Sequence, residues 1–312
     1  MLSFAEIATR IGVSLQKLAK RHLMKPILVR TKCEMSDWSA KQQGIGLTIA
    51  LVPTMGALHA GHLKLVEEAS KVSDFVVISI FVNPTQFGPG EDLDAYPRVL
   101  NEDVYVLENQ GLAAVIFAPE VTEIYPNAPN LTWVEVDAMG DHLCGASRPG
   151  HFRGVTTVVS RLLSIINPDL AVFGLKDAQQ FFILKRMAQE MGFRTAIIGI
   201  PTVRESDGLA LSSRNRYLNE LERSEAVFLS KAVQVGKKLI STGSPVRAVD
   251  LLARVRQELS PIQSGTIDYV EFVDTKDLQP VLNTVKGQTV LVAVAVKFGK
   301  ARLIDNSIVE VG

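Results

Sequence analysis

From residue 47 onward, short apolar runs alternate with segments whose apolar residues recur at helical spacing. Leu47 to Val52 is such a run. It is followed by Pro53-Thr54-Met55-Gly56 and then by Leu63, Val66, Ala69 and Val72 at the spacing of one helix face. The same reading predicts strands at Phe75 to Val82, Ala113 to Ala118, Leu131 to Val136, Leu170 to Phe173 and Thr195 to Ile200. It predicts helices near Glu102 to Asn109, Gly154 to Ile166 and Ala178 to Met191, and a polar loop from Asn83 to Pro97. Strands alternating with helices imply right-handed crossovers and a mostly parallel sheet, whose ligands bind beyond the carboxyl ends of the strands. The pattern changes near Val203: helices between Leu221 and Leu259 precede strand-like runs at Ile267 to Asp274 and Thr289 to Lys297. The expected organisation is an N-terminal extension over 1–25, an α/β domain over 26–202 and a smaller α+β domain over 203–312.

Composition narrows the function classes. Lys plus Arg and Asp plus Glu number 33 each, so no basic excess favours nucleic acid through counterion release. No apolar run reaches the ~18–20 residues that span a bilayer. The two cysteines, Cys33 and Cys144, have no metal-ligand spacing and fit a reducing compartment. In the first 24 residues, Ile7, Ile11, Leu15 and Leu18 lie at helical spacing among Arg10, Lys17, Lys20 and Arg21. Two readings stand: an amphipathic targeting presequence, or else an added surface helix or an upstream start before a native Met24.

Four segments carry candidate chemistry. The first is Pro53-Thr54-Met55-Gly56-Ala57-Leu58-His59-Ala60-Gly61-His62, where a strand gives way to a helix. Helix N-termini attract phosphate through unpaired N–H groups and the positive end of the dipole. His59 and His62 are three residues apart, so both can face one spot and donate hydrogen bonds to a phosphate. Two histidines also suit zinc, but no third ligand is nearby, and no metal site is assigned. The second is Asn83-Pro84-Thr85-Gln86-Phe87-Gly88, at the next strand end. The third is Gly174-Leu175-Lys176-Asp177-Ala178-Gln179-Gln180, where Lys176 offers a cation, Asp177 an N-cap and Gln180 either a ligand contact or a capping partner. The fourth is Leu211-Ser212-Ser213-Arg214-Asn215, two hydroxyls and a guanidinium in succession. Several strand ends of one predicted sheet thus carry groups suited to phosphate.

Together these segments resemble the pantoate–β-alanine ligase family. The resemblance also includes Arg148 to Gly154, Pro201 to Leu218 and the C-terminal Leu303-Ile304-Asp305-Asn306, and covers roughly residues 26 to 312. It implies a Rossmann-like domain with a C-terminal lid, a cytoplasmic homodimer, pantoate and β-alanine as substrates, and ATP carrying Mg2+. It implies an ATP site at Met55, Gly56, Ala57, Leu58, His59, Ala60, Gly61 and His62, at Gly174, Leu175, Lys176 and Asp177, and at Val203, Leu211, Ser212, Ser213 and Arg214. His62 matches the family's proton donor, with His59 and Lys176 beside it as charge-stabilising groups. Gln86 and Gln180 match the pantoate contacts. A magnesium-associated cluster of some members falls on Glu102, Asp103 and Val106, the last of which has no ligand atom. Leu175 stands where many members have Glu.

Overall fold

The computed structural model describes residues 25–91, 93–111, 113, 115–241 and 246–312. The two readings of the first 24 residues lie outside the described residues. The chain divides into two units. One runs up to Val136 and adds Gly150–Gly174 and Ile183–Ile200; the other takes Asp137–Pro149, Leu175–Phe182 and Pro201–Gly312.

The first unit is a six-stranded parallel sheet, the Rossmann-like arrangement. Its strands are β1 (Ile27–Val29), β2 (Ile49–Thr54), β3 (Phe75–Ile80), β4 (Val115–Phe117), β5 (Leu170–Gly174) and β6 (Ala196–Ile200), in the order β1-β4-β3-β2-β5-β6. The interleaved helices are α1 (Lys32–Gly44), α2 (Ala60–Val72), α3 (Leu100–Gln110), α4 (His151–Ile166) and α5 (Ala178–Glu190), the last of which belongs to this unit from Ile183 onward. Ala50, Val52, Ile78, Ile116 and Val172 pack against Val66, Ala69 and Val72 of α2 and Leu107 of α3. Such runs of Val, Ile and Ala are what a sheet covered on both faces requires. The strand order reverses between β2 and β5, and crevices beyond the carboxyl ends of strands at such a reversal take ligands.

The second unit contains an antiparallel sheet of β7 (Gly265–Asp274), β8 (Thr289–Phe298) and β9 (Ala301–Glu310). Helices α6 (Glu220–Ile240) and α7 (Ala248–Glu258) share its core: Leu229, Val233 and Val255 pack with Val270, Phe272, Val292 and Val294. At Gly236 of α6 an added Cβ would come within 2.9 Å of the Val292 side chain.

Four elements differ from the sequence reading. The expected strand Leu131 to Val136 does not form, because Val134 bonds to side chains instead of a ladder. Its N–H donates to Thr157 Oγ1 at 3.0 Å, and its carbonyl accepts from Thr156 Oγ1. β1 and α1 precede the first predicted strand. β1 is three residues long, and α1 has only Met35 and Ser39 buried, so neither carries a strong apolar pattern. β9 is an additional strand that alternates buried and partly exposed residues over most of its length.

Candidate active site

In the first unit the histidine segment leaves β2 at Thr54, whose hydroxyl donates to Ser79 O at 2.8 Å and accepts from Gly56 N–H at 3.2 Å. Gly56 and Ala57 both have positive φ, +83° and +51°. A Cβ on Gly56 would come within 2.9 Å of Asp103 Oδ2, so the position is restricted by both conformation and space. Asp103, in the first turn of α3, is buried; its two oxygens accept from Ala57 N–H at 3.0 Å and Leu58 N–H at 2.7 Å. Burial pushes its carboxyl above the usual carboxylate range, against the pull of these two donors. Asp103 thereby fixes the turn that delivers His59.

His59 caps α2. Its Nδ1 accepts from Gly61 N–H at 3.1 Å, and His62 Nδ1 accepts from His59 N–H at 3.4 Å. The rings stack, with centroids 4.1 Å apart and planes 25° from parallel. Because both Nδ1 atoms accept, the proton of each neutral ring sits on Nε2. A Cβ on Gly61 would come within 2.8 Å of His59 Cε1, so this glycine makes room for the ring. The N–H groups of Gly56, Ala57, Leu58, His59 and Gly61 all have partners within the unit. This corrects the expectation of N–H groups left for phosphate. At these five positions the backbone is already hydrogen-bonded.

At the end of β3, Asn83 organises the second segment. Its Oδ1 accepts from Tyr125 Oη at 2.8 Å and Thr85 Oγ1 at 3.0 Å; its Nδ2 donates to Gln86 Oε1 and Gly154 O, each at 3.1 Å. With its carbonyl oxygen held by Asn83, Gln86 turns its Nε2 toward Met55 Sδ at 3.1 Å. His151 Nδ1 lies 2.8 Å from the Gln86 backbone oxygen. Gly154 is where α4 presses on this loop: a Cβ there would come within 2.4 Å of Thr85 O. The first unit therefore brings Met55, Gln86, Asn83 and His151 into one network. Asn83 is a site residue that the sequence pattern alone does not single out; its one signal is an amide at the strand end ahead of Pro84.

In the second unit, Leu175–Asp177 form one short turn ahead of Ala178. Lys176 and Gln180 are half-buried, and Asp177 is exposed. Gln179 is buried and accepts from Cys144 N–H at 2.9 Å while donating to the carbonyls of His142 and Met139 at 2.8 and 3.1 Å. Of the two neighbouring glutamines it is the one that ties down another loop. Residues 203–211 form a hairpin in which Leu211 N–H donates to Val203 O at 2.9 Å and Glu205 N–H to Leu209 O at 2.8 Å. Ser212 caps the short helix Ser213–Tyr217 by accepting from Arg214 N–H at 3.2 Å; Ser213 is half-buried and Arg214 exposed. Among the described residues, no group of three or more His, Cys, Asp or Glu could hold a metal ion. Nor, among them, is any helix long and apolar enough to cross a membrane.

The parallel sheet, the stacked histidines at its central strand–helix junction and the polar turns at other strand ends define a Rossmann-like α/β enzyme. The chain belongs to the pantoate–β-alanine ligase family: the Pantoate-beta-alanine ligase model matches residues 27–308. It is 49% identical over 290 residues to the pantothenate synthetase of Salinibacter ruber, a match that covers 91% of this chain and 98% of the relative. Among solved structures it is similar to a pantothenate synthetase from Thermus thermophilus, with 40% identity and a TM-score of 0.79, covering 90% of this chain and 98% of that one. It is also similar to a pantoate–β-alanine ligase from Francisella tularensis complexed with β,γ ATP and β-alanine. That likeness has 31% identity and a TM-score of 0.72, over 91% of this chain and 97% of the other.

Proposed function

We propose that the protein condenses (R)-pantoate with β-alanine to pantothenate at the expense of ATP. A pantoate carboxylate oxygen attacks the α-phosphorus and pyrophosphate leaves, giving pantoyl-adenylate. The β-alanine amine then attacks the activated carbonyl carbon, loses a proton, and AMP departs. Family membership supports the reaction, and the observation that carries its assignment to residues is the His59–His62 stack, with each Nδ1 turned to a backbone N–H.

In this reading the Nε2–H groups of His59 and His62 stabilise charge that builds on the phosphates as pyrophosphate leaves. His62 is the proton donor. Lys176, Ser212, Ser213 and Arg214 supply further donors to the nucleotide, which also uses Met55 to His62, Gly174 to Asp177, Val203 and Leu211. Gln86 and Gln180 hold pantoate. Mg2+ arrives on ATP and neutralises its phosphates. The Asp103 oxygens are already engaged by two backbone N–H groups, so no ligand role is assigned to this carboxylate. On the family resemblance the working form is a cytoplasmic homodimer, which sedimentation mass and a fluorescent fusion test.

The test is a complete reaction with ATP, Mg2+, pantoate and β-alanine. The expected result is pantothenate and AMP in equal amounts, with AMP release dependent on β-alanine. A nucleotidyltransferase that keeps the nucleotide in its product would release no AMP under these conditions.

A further inference from the structure

The C-terminal motif Leu303-Ile304-Asp305-Asn306 has no part in the chemistry above, yet two neighbouring side chains on β9 reach both nucleotide segments of the second unit. Asn306 Nδ2 donates to Leu175 O at 3.0 Å and to Lys176 O at 2.7 Å. Asp305 is buried and accepts from Arg204 Nη1 at 2.6 Å and Nη2 at 2.8 Å. Arg204 in turn donates to Gly208 O at 3.0 Å, across the hairpin that ends at Leu211. Asp305 Oδ1 also accepts from Asn306 N–H at 2.7 Å, which links the two side chains through the backbone.

We propose that Asn306 is a positioning residue for Lys176, and that Asp305 does the same for the 203–211 hairpin through Arg204. This rests on the reading of Lys176 as a nucleotide contact. The physical case is specific. A carboxamide offers two donors from one planar nitrogen, and here that nitrogen serves the carbonyls of two successive residues. That fixes the peptide planes on both sides of the Lys176 Cα, where its long stem begins. A mobile lysine loses considerable rotamer freedom when it holds an anion, so a fixed Cα leaves less to be ordered on binding. β9 is held along its length to β8, so the anchor point is rigid.

The test uses Asn306→Ala and Asn306→Asp, alone and in a Lys176→Ala background. Asn306 is half-buried, so both variants are expected to fold, which thermal unfolding checks. Asn306→Ala should raise KM for ATP or slow single-turnover adenylation by about tenfold. Asn306→Asp should do more harm, because it sets a carboxylate against two carbonyl oxygens. KM for pantoate should stay at the parent value. In the Lys176→Ala background the Asn306→Ala penalty should largely vanish, as expected when one residue acts through another. Parent-like adenylation in Asn306→Ala beside an impaired Lys176→Ala overturns the proposal alone. So does a penalty that persists undiminished without Lys176, or one that falls equally on ATP and pantoate. A Lys176→Ala enzyme at the parent rate overturns the reading of Lys176 itself.

Discussion

The imidazoles of His59 and His62 stack 4.1 Å apart, and each turns Nδ1 toward a backbone N–H of its own turn. One hydrogen-bond pattern therefore caps the helix and selects the ring tautomer. His62→Ala should lower pantoyl-adenylate formation by ~10²–10⁴-fold, the range for a lost proton donor or charge-stabilising group. Its unfolding midpoint should fall only modestly, since one capping bond is lost and His62 is half-buried rather than a core residue. Gly61→Ala, which leaves both histidines in the sequence, should also slow adenylation, because the new methyl group displaces the His59 ring. Single-turnover quench measurements check both, and a parent-like rate for His62→Ala would remove it from the mechanism.

Asp103 gives a different signature. Asp103→Ala leaves the Ala57 and Leu58 N–H groups without their acceptor, so it should lower unfolding free energy by ~2–4 kcal/mol. It should also slow adenylation, because the turn before His59 is released. The Mg2+ concentration that gives half-maximal rate should not move. Unchanged stability beside a raised Mg2+ requirement would instead make this carboxylate a metal ligand.

The parallel sheet was legible because buried strands covered on both faces must be apolar, and helices with one buried stripe must repeat at helical spacing. The same rule misread Leu131 to Val136, where Thr156 and Thr157 supply the bonds that a neighbouring strand would have given. α1 escaped notice because it buries little, although its Thr31–Glu34 capping box is a local signal. In the site, His59, His62 and Gln86 stood out because their types and positions suggest chemistry. The bonding roles of Asn83, Asp103 and Asn306 were not legible, because each acts on backbone or side chains far away in sequence, and a single chain gives no sign of such pairings.

Gln180 distinguishes two ways of holding a nucleophile. A neutral amide orients the pantoate carboxylate without drawing away the electron density it needs to attack phosphorus; an arginine grips harder and withdraws it. Gln180→Ala should weaken pantoate binding and slow adenylation. Gln180→Arg should keep or tighten binding while slowing adenylation. Calorimetry with pantoate beside single-turnover adenylation checks this. An arginine variant that binds and also reacts at the parent rate would contradict the electronic argument. Unaltered pantoate affinity in Gln180→Ala would return the residue to helix capping.

The second unit should show a defined acid dependence. Burial tends to raise the Asp268 carboxyl, but Lys297 and Arg302 outweigh it and hold the group below the usual carboxylate range. A depressed carboxylate contributes stability above its unfolded pKa of about 4, and that contribution is lost as pH falls toward the folded value. The parent should therefore be more stable than Asp268→Asn near neutrality, with the gap narrowing only below about pH 4. Urea unfolding of both proteins across pH checks the sign. A gap that narrows as pH rises would contradict it.

The central claim is that pantoate is activated as an acyl-adenylate before β-alanine reacts. Exchange of labelled pyrophosphate into ATP, with β-alanine left out, tests that step alone. The account predicts exchange that requires both the enzyme and pantoate, and that falls by ~10²–10⁴-fold in His62→Ala. Exchange at the same rate without pantoate, or none with pantoate under conditions where the full reaction yields pantothenate, would contradict it.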